Sequence, residues 1–321
     1  MADIKPERIN WLWPGYLAAG KLSLLIGDPG LGKSTLTCEI VARLSRGEAL
    51  PGSKLPPLPL VCGLCCPEDD PADTIRPRLD AAKVDLHRAF LLDEVRTFPN
   101  DVSQLEAAIG QHSIGLVIID PIMSFLSGQH DSHRDQDVRR ALTPLVELAN
   151  RTGCAVLAIM HLNKKQGVAA MYRAGGSIGF VGLARTVILL AKDPHDPDCR
   201  VLAQVKSNLS KERKAHRLRL VTPSGHEVAA VEWLGECDLS ADELCGPPES
   251  AEGRSALHDA TAFLCETLAD GPKPRAEVLA AAKREGHAER TLRRARAALG
   301  IQSRADPWAL PAEHAPKGAE G

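Results

Sequence analysis

The run Gly27-Asp28-Pro29-Gly30-Leu31-Gly32-Lys33-Ser34 constrains this chain more than any other stretch of it. An apolar run, Lys21–Ile26, precedes it, and a stretch of helical period, Thr35–Arg46, follows. That strand–loop–helix setting turns a glycine pattern into a site. Glycines let backbone N–H groups point inward around phosphates without Cβ clashes, and the helix N-terminus adds a favourable partial charge. Gly27 to Thr35 are thus the expected nucleotide cradle: Gly27, Asp28, Pro29, Gly30, Leu31, Gly32, Lys33, Ser34 and Thr35. Lys33 is expected to reach the β- and γ-phosphates of ATP, and the Ser34 hydroxyl to ligate Mg²⁺. The bland alternative is a glycine-rich turn that binds nothing, and the matched setting weighs against it.

Three further apolar runs, Leu60–Cys65, Leu116–Ile119 and Ala155–Met160, alternate with helical patterns. Short buried runs separated by helices read as a parallel sheet with crossover helices, an α/β fold. In 101–112, Val102, Leu105 and Ile109 recur every three or four residues, with Asp101 as the expected N-cap. A second stripe, Val138, Leu142, Leu145 and Ala149, marks 135–150, and strand-like runs follow at 187–190, 201–205 and 218–221. Residues 1–236 therefore read as one domain. Residues 237–254, rich in Asp, Glu, Pro, Gly and Ser, read as a linker, and 311–321 as a disordered tail.

Carboxylates end two of the runs. Asp120 closes Leu116–Ile119, where it is expected to hold Mg²⁺ through water beside the phosphate loop; the alternative is a turn cap. Glu68 follows the second run and is the candidate general base for the attacking water, with Asp69 its nearest rival and a solvated acidic turn the bland reading. His161 ends the fourth run, placed to sense the γ-phosphate. Cys62 and Cys65 have C-x-x-C spacing, but they continue an apolar run and no second Cys/His pair at zinc-finger spacing follows. His130 to Asp135 reads as a hydrated loop before a helix rather than a metal site.

This ordered set resembles the RecA-like ATPases: the 27–35 loop, Glu68-Asp69-Asp70, Asp120, His161-Leu162-Asn163-Lys164 and Gly175-Gly176-Ser177. It looks most like the plasmid replicative helicase (RepA-type) branch, related to DnaB-type helicases and KaiC-type ATPases, over roughly residues 9–235. The resemblance implies a RecA-like sheet, a ring (a hexamer by analogy) and ATP sites shared between neighbours. It makes Glu68 the catalytic carboxylate and His161 the γ-phosphate sensor. Arg185 matches the position of a finger reaching into the neighbour's site, and Lys206 is a second trans candidate, weakened because Asn208 departs from the usual basic pair. The loop after His161 lines the channel in ring helicases. Lys164 and Lys165 suit contact with the phosphates of single-stranded DNA.

A net charge of −2 hides a local basic unit. Between 273 and 304, nine Lys or Arg face three Glu, on helices expected at 257–268, 275–285 and 289–299. In the last of these, Leu292, Ala295 and Leu299 are expected inward and Arg290, Arg293, Arg294 and Arg296 outward or sideways. With Trp308 as the wing, residues 255–310 read as a helix-turn-helix or winged-helix DNA-binding domain. The unit also looks like the C-terminal domains that accompany this ATPase type in phage and mobile-element proteins, which implies DNA rather than RNA.

Nine cysteines, no basic n-region ahead of an apolar stretch and no span of 18–20 apolar residues point to a reducing cytoplasm without a membrane. The leading reading is a replicative-helicase-like ring ATPase. The runner-up is an ATP-gated DNA-binding regulator or repair accessory. A small-molecule kinase fits poorly, since no lid segment is evident between Asp120 and Val187.

Overall fold

The apolar runs lie side by side in one nine-stranded sheet. The structure, a computed structural model, describes residues 5–53, 58–126, 134–162, 178–245, 251–301 and 306–311. The chain divides into two compact units, Met1–Gly246 and Pro247–Gly321. The first unit opens with β1 (Trp11–Trp13), β2 (Leu17–Ala18), β3 (Leu22–Gly27), α1 (Lys33–Arg46), β4 (Val61–Cys65), α2 (Arg76–Ala81) and β5 (Ala89–Leu91). It continues through α3 (Val102–His112), β6 (Ile114–Ile119), α4 (Asp135–Thr152), β7 (Ala155–His161), α5 (Ile178–Leu183) and β8 (Thr186–Lys192). It closes with β9 (Cys199–Ser207), β10 (Ala215–Val221), β11 (Ala230–Cys237) and α6 (Ala241–Cys245).

β1 and β2 pair as a small antiparallel ribbon. The large sheet has the order β11-β10-β9-β8-β3-β7-β6-β4-β5. The strands from β8 to β5 run parallel, and β9, β10 and β11 extend the sheet antiparallel. Side chains alternate between two cores, as period 2 requires. Leu24, Ile26, Val117, Ile119, Val156 and Ala158 meet residues of α3 and α4, whereas Leu25, Leu116, Ile118, Leu157 and Ile159 meet α1 and the β1–β2 ribbon. Burying one such Leu or Ile contributes about 1.5–3 kcal/mol. β3, buried along its whole length, is therefore firmly held and carries the loop that follows it.

Several elements differ from expectation. Asp101 sits at the N-cap of α3, but its side chain accepts from the backbone N–H groups of Arg96 and Thr97, tightening the preceding turn. The stretch expected as a linker contains α6, whose Ala241 and Cys245 enter the first unit's core. A capping box starts it: Ser240 Oγ accepts from Glu243 N at 3.3 Å, and Glu243 Oε2 accepts from Ser240 N at 2.9 Å. Strands β1, β2, β5 and β11 were not anticipated: the first three are only two or three residues long, and Glu232, Gly235 and Glu236 interrupt β11.

The second unit contains α7 (Ala251–Thr267), α8 (Arg275–Arg284) and α9 (Glu289–Ala298). Lys273 and Trp308 exchange two backbone hydrogen bonds, 3.0 and 2.9 Å, beside a core of Phe263, Leu264, Leu268, Val278, Leu292 and Leu299. Arg296, expected outward or sideways, is 6% exposed and lies over the Trp308 ring, 5.6 Å from its centroid. It stands four residues after Leu292 and three before Leu299, which is the buried face.

Candidate nucleotide site

The parallel strands end at one edge, where the chain leaves β3 with β7 and β8 on either side. Crevices outside the carboxyl ends of strands at such a switch point are where α/β sheets bind ligands. Gly30 (φ +74°) and Gly32 (φ +87°) take left-handed conformations that reverse the chain into α1. At Gly27 the constraint is close approach: a Cβ there meets the Leu190 carbonyl oxygen at 2.5 Å. The resulting cavity, about 390 Å³, is lined by Gly30, Gly32, Lys33, Ser34 and Thr35 of the loop, and by Glu68, Asp69, Arg78, Asp120, Pro121, His161 and Leu220. Gly27 and Asp28 contribute through their backbone, Pro29 is exposed, and Leu31 turns into the core.

Lys33, 5% exposed, donates to the carbonyls of Gly27 and Asp28 at 2.9 Å each and lies 3.2 Å from His161 Nδ1. Burial lowers its ammonium below the usual lysine range, against the carboxylates of Asp120 and Asp28. His161 ends β7 directly beside Gly27. Burial, then Lys33, lowers its imidazolium below the ordinary range, which favours the neutral ring. With the Lys33 ammonium donating to Nδ1, the proton of that ring sits on Nε2, where it can donate to a phosphate oxygen.

Asp120 follows β6, its N–H bonded to Cys65 O at 2.9 Å. Burial raises its carboxyl above the usual range; the Ser34 hydrogen bond, Lys33 and His161 oppose this, and Asp69 adds to it. In that position a further cation would offset the cost of burying the charge. With the Ser34 hydroxyl this carboxylate forms a hard oxygen donor set of the kind Mg²⁺ takes alongside phosphate oxygens, so the residues fit that ion. Glu68, past β4, is held by Ser124 Oγ at 2.5 Å from the turn Ile122–Phe125. Asp69 takes a hydrogen bond from Arg78 Nη1 at 2.5 Å.

Arg185 and Lys206 lie at the other edge of the sheet. Arg185 N donates to Leu22 O, at the start of β3, and Lys206 pairs with Val187. The five steps from Leu22 to Gly27 separate that edge from the loop by about 17 Å. Lys206 Nζ donates to the carbonyls of Val181 and Ala184 at 2.6 and 3.0 Å, where α5 ends, and burial followed by Arg185 lowers its pKa. Neither residue joins the cavity of its own chain. Lys164 and Lys165 lie outside the described residues, as do His130 and His133. Arg293 is exposed and 4.0 Å from Glu289, and Arg294 is half-buried; the Arg290 side chain lies outside what is described. Cys62 and Cys65 face opposite cores of the sheet.

Arg78, Leu220, Pro121 and Ser124 belong to the site and were not anticipated. Leu220 packs on the loop, its Cδ1 2.6 Å from where a Cβ on Gly32 falls. It comes from β10, remote in sequence, and no local pattern announces it.

Among the described residues no helix is long and apolar enough to cross a membrane. Residues 2–167, half of the chain, match the AAA domain family. The DNA repair protein RadA of Halalkalibacterium halodurans is 27% identical over 169 residues, 52% of this chain and 33% of that protein. The chain thus spans about a third of the length of this curated relative. With the phosphate loop, Asp120 and His161 all inside the matched segment, the chain belongs to the AAA domain family and folds as a RecA-like P-loop ATPase.

Proposed function

We propose that this protein hydrolyses Mg²⁺-bound ATP and couples the reaction to DNA, as a replicative-helicase-like ring ATPase of a plasmid, phage or mobile element. One observation carries the reading: Lys33, Ser34, Glu68, Asp120 and His161, drawn from four separate loops, line a single cavity at the carboxyl edge of the sheet. Lys33 binds the β- and γ-phosphates, and His161 Nε2 donates to the terminal one. Glu68 takes a proton from the attacking water as its oxygen bonds to the γ-phosphorus and the bridging oxygen leaves with ADP. Held by Ser34 and Asp120, Mg²⁺ supplies charge neutralisation across the phosphate oxygens.

Arg185 and Lys206 act in trans, where a neighbouring subunit's nucleotide meets that opposite edge. The segment after His161, with Lys164 and Lys165, grips single-stranded DNA through its phosphates. The second unit, winged-helix-like with the Lys273–Trp308 pairing as its wing, adds a duplex contact through Arg290, Arg293 and Arg294. Similarity to a DNA repair protein favours one alternative, a repair or recombination accessory in which ATP switches DNA binding without movement.

Stimulation of ATP turnover by single-stranded DNA, followed by strand displacement on a forked duplex, separates the two. Turnover that rises with DNA and is weakened in Lys164→Ala/Lys165→Ala, together with displacement, is the expected result. Turnover indifferent to DNA, with ATP still changing DNA affinity, would sink the motor reading and leave the switch.

A further inference from the structure

Among the described residues Arg78 is the one arginine lining the cavity. Its direction is set locally. Asp70 caps the helical turn after β4, accepting from Ala72 N at 2.7 Å and Asp73 N at 3.1 Å. The turn Pro71–Ile75 is a π-type stretch, with Ile75 N bonded to Asp70 O at 2.9 Å. That wide turn offsets the helical register, so Arg76 points to the surface and pairs with Asp80, whereas Arg78 points back into the cavity.

There Arg78 Nη1 meets Asp69 Oδ2 as a one-pronged pair, the two side chains 28% and 31% exposed. Pairs so open to solvent are weak and readily exchanged. A guanidinium instead offers a fork that matches phosphoryl oxygens. Charge points the same way. Three carboxylates, Glu68, Asp69 and Asp120, line the cavity against two fixed cations, Lys33 and Arg78. Lys33 is held by the loop carbonyls and His161, whereas Arg78 is held by Asp69. Of these two cations Arg78 is the one paired with a cavity carboxylate, and exchanging Asp69 for phosphate brings it to the negative charge that phosphoryl transfer spreads over the γ-phosphate.

We propose that Arg78 is a catalytic arginine supplied within the chain, which leaves Asp69 for the terminal phosphoryl oxygens of ATP. This rests on the cavity being an ATP-hydrolysis site. Water's oxygen bonds to the γ-phosphorus, its proton passes to Glu68, and the bridging oxygen departs on ADP with the bonding pair. Arg78 exchanges no atoms; it neutralises the equatorial oxygens during the transfer. Unlike Arg185, it needs no neighbour, so its contribution does not depend on protein concentration.

The test compares wild type, Arg78→Ala, Arg78→Lys and the surface control Arg76→Ala in turnover, in affinity for a fluorescent ATP analogue, and in trapping of ADP with aluminium fluoride. Arg78→Ala is expected to lose about 10³-fold in kcat, to fail to trap ADP–aluminium fluoride, and to bind the ATP analogue within a few-fold of wild type. Guanidinium in the buffer restores part of the rate, Arg78→Lys restores little, and Arg76→Ala behaves as wild type. An unchanged kcat in folded Arg78→Ala would overturn the proposal. So would equal losses of ATP and ADP affinity with kcat intact, which would assign Arg78 to ground-state binding. Wild-type protein lacking any Lys33-dependent turnover would overturn the hydrolysis reading itself, and Arg78's role with it.

Discussion

Alanine at Gly27 and at Gly110 is the same chemical change with opposite expected consequences. At Gly27 the new methyl falls 2.5 Å from the Leu190 carbonyl oxygen, which is backbone of the neighbouring strand β8 and cannot rotate away. Reaching the 3.4 Å at which ordinary contact begins requires a separation of about 0.9 Å between two strands that are buried at Gly27 and Leu190. Overpacking of this kind costs about 1–3 kcal/mol. For a unit of this size it lowers Tm by about 2–4 °C per kcal/mol, so roughly 4–8 °C at the middle of that range. The shift also moves the Gly27 carbonyl that Lys33 and Leu162 N both use, so ATP protection against melting falls with it. Gly110, in α3, has nothing within 4 Å of the added methyl. There alanine gains about 0.5–1 kcal/mol of helix preference, and Tm rises by about 1–4 °C. Thermal melts of both variants with and without ATP decide the matter. A Gly27→Ala protein melting within about 1 °C of wild type, against the slope just used, would refute the close-approach reasoning.

Glu68→Gln should keep ATP affinity while lowering kcat about 10²–10⁴-fold, read by phosphate release beside equilibrium nucleotide binding; equal losses in both would remove Glu68 from the base role. Asp120→Asn should abolish Mg²⁺-dependent turnover yet raise Tm. Burial raises the Asp120 carboxyl, so the folded wild type holds that proton more tightly than the unfolded chain and carries a charge penalty at neutral pH. The gain is therefore largest at pH 7–8 and fades as pH falls towards about 4, the ordinary carboxylate range; a gain independent of pH would contradict the cause. Trp308→Ala, removing a 3%-exposed ring beneath Arg296, should destabilise the second unit by about 3–5 kcal/mol. In the full chain it should expose residues of α7 to α9 to protease while Lys33-dependent turnover persists.

The gathering of Lys33, Glu68, Asp120 and His161 in one cavity could be read in advance because each stands at the end of an apolar run or soon after it. Lys33, Glu68 and Asp120 stand past strands β3, β4 and β6, His161 ends β7, and parallel strands deliver their C-terminal ends to one edge. Arg78 could not be read the same way. The π-type turn at Pro71–Ile75 adds a residue to the helical count, so a 3.6-residue period misplaces everything after it. Leu220 arrives through the antiparallel pairing of β9 and β10, a long-range register that no local pattern encodes. The burial of Arg296, expected outward or sideways, follows from its spacing from Leu292 and Leu299, which places it on the buried face. The capping pair Ser240 and Glu243 likewise marked α6, but five residues are too few for periodicity to register.

Steady-state phosphate release from ATP, by wild type and by Lys33→Ala with Mg²⁺ present or chelated, tests the central claim most directly. Turnover that requires Mg²⁺ and disappears in Lys33→Ala is the expected result. Turnover that survives the loss of Lys33, or its absence in wild-type protein that binds ATP, would contradict it.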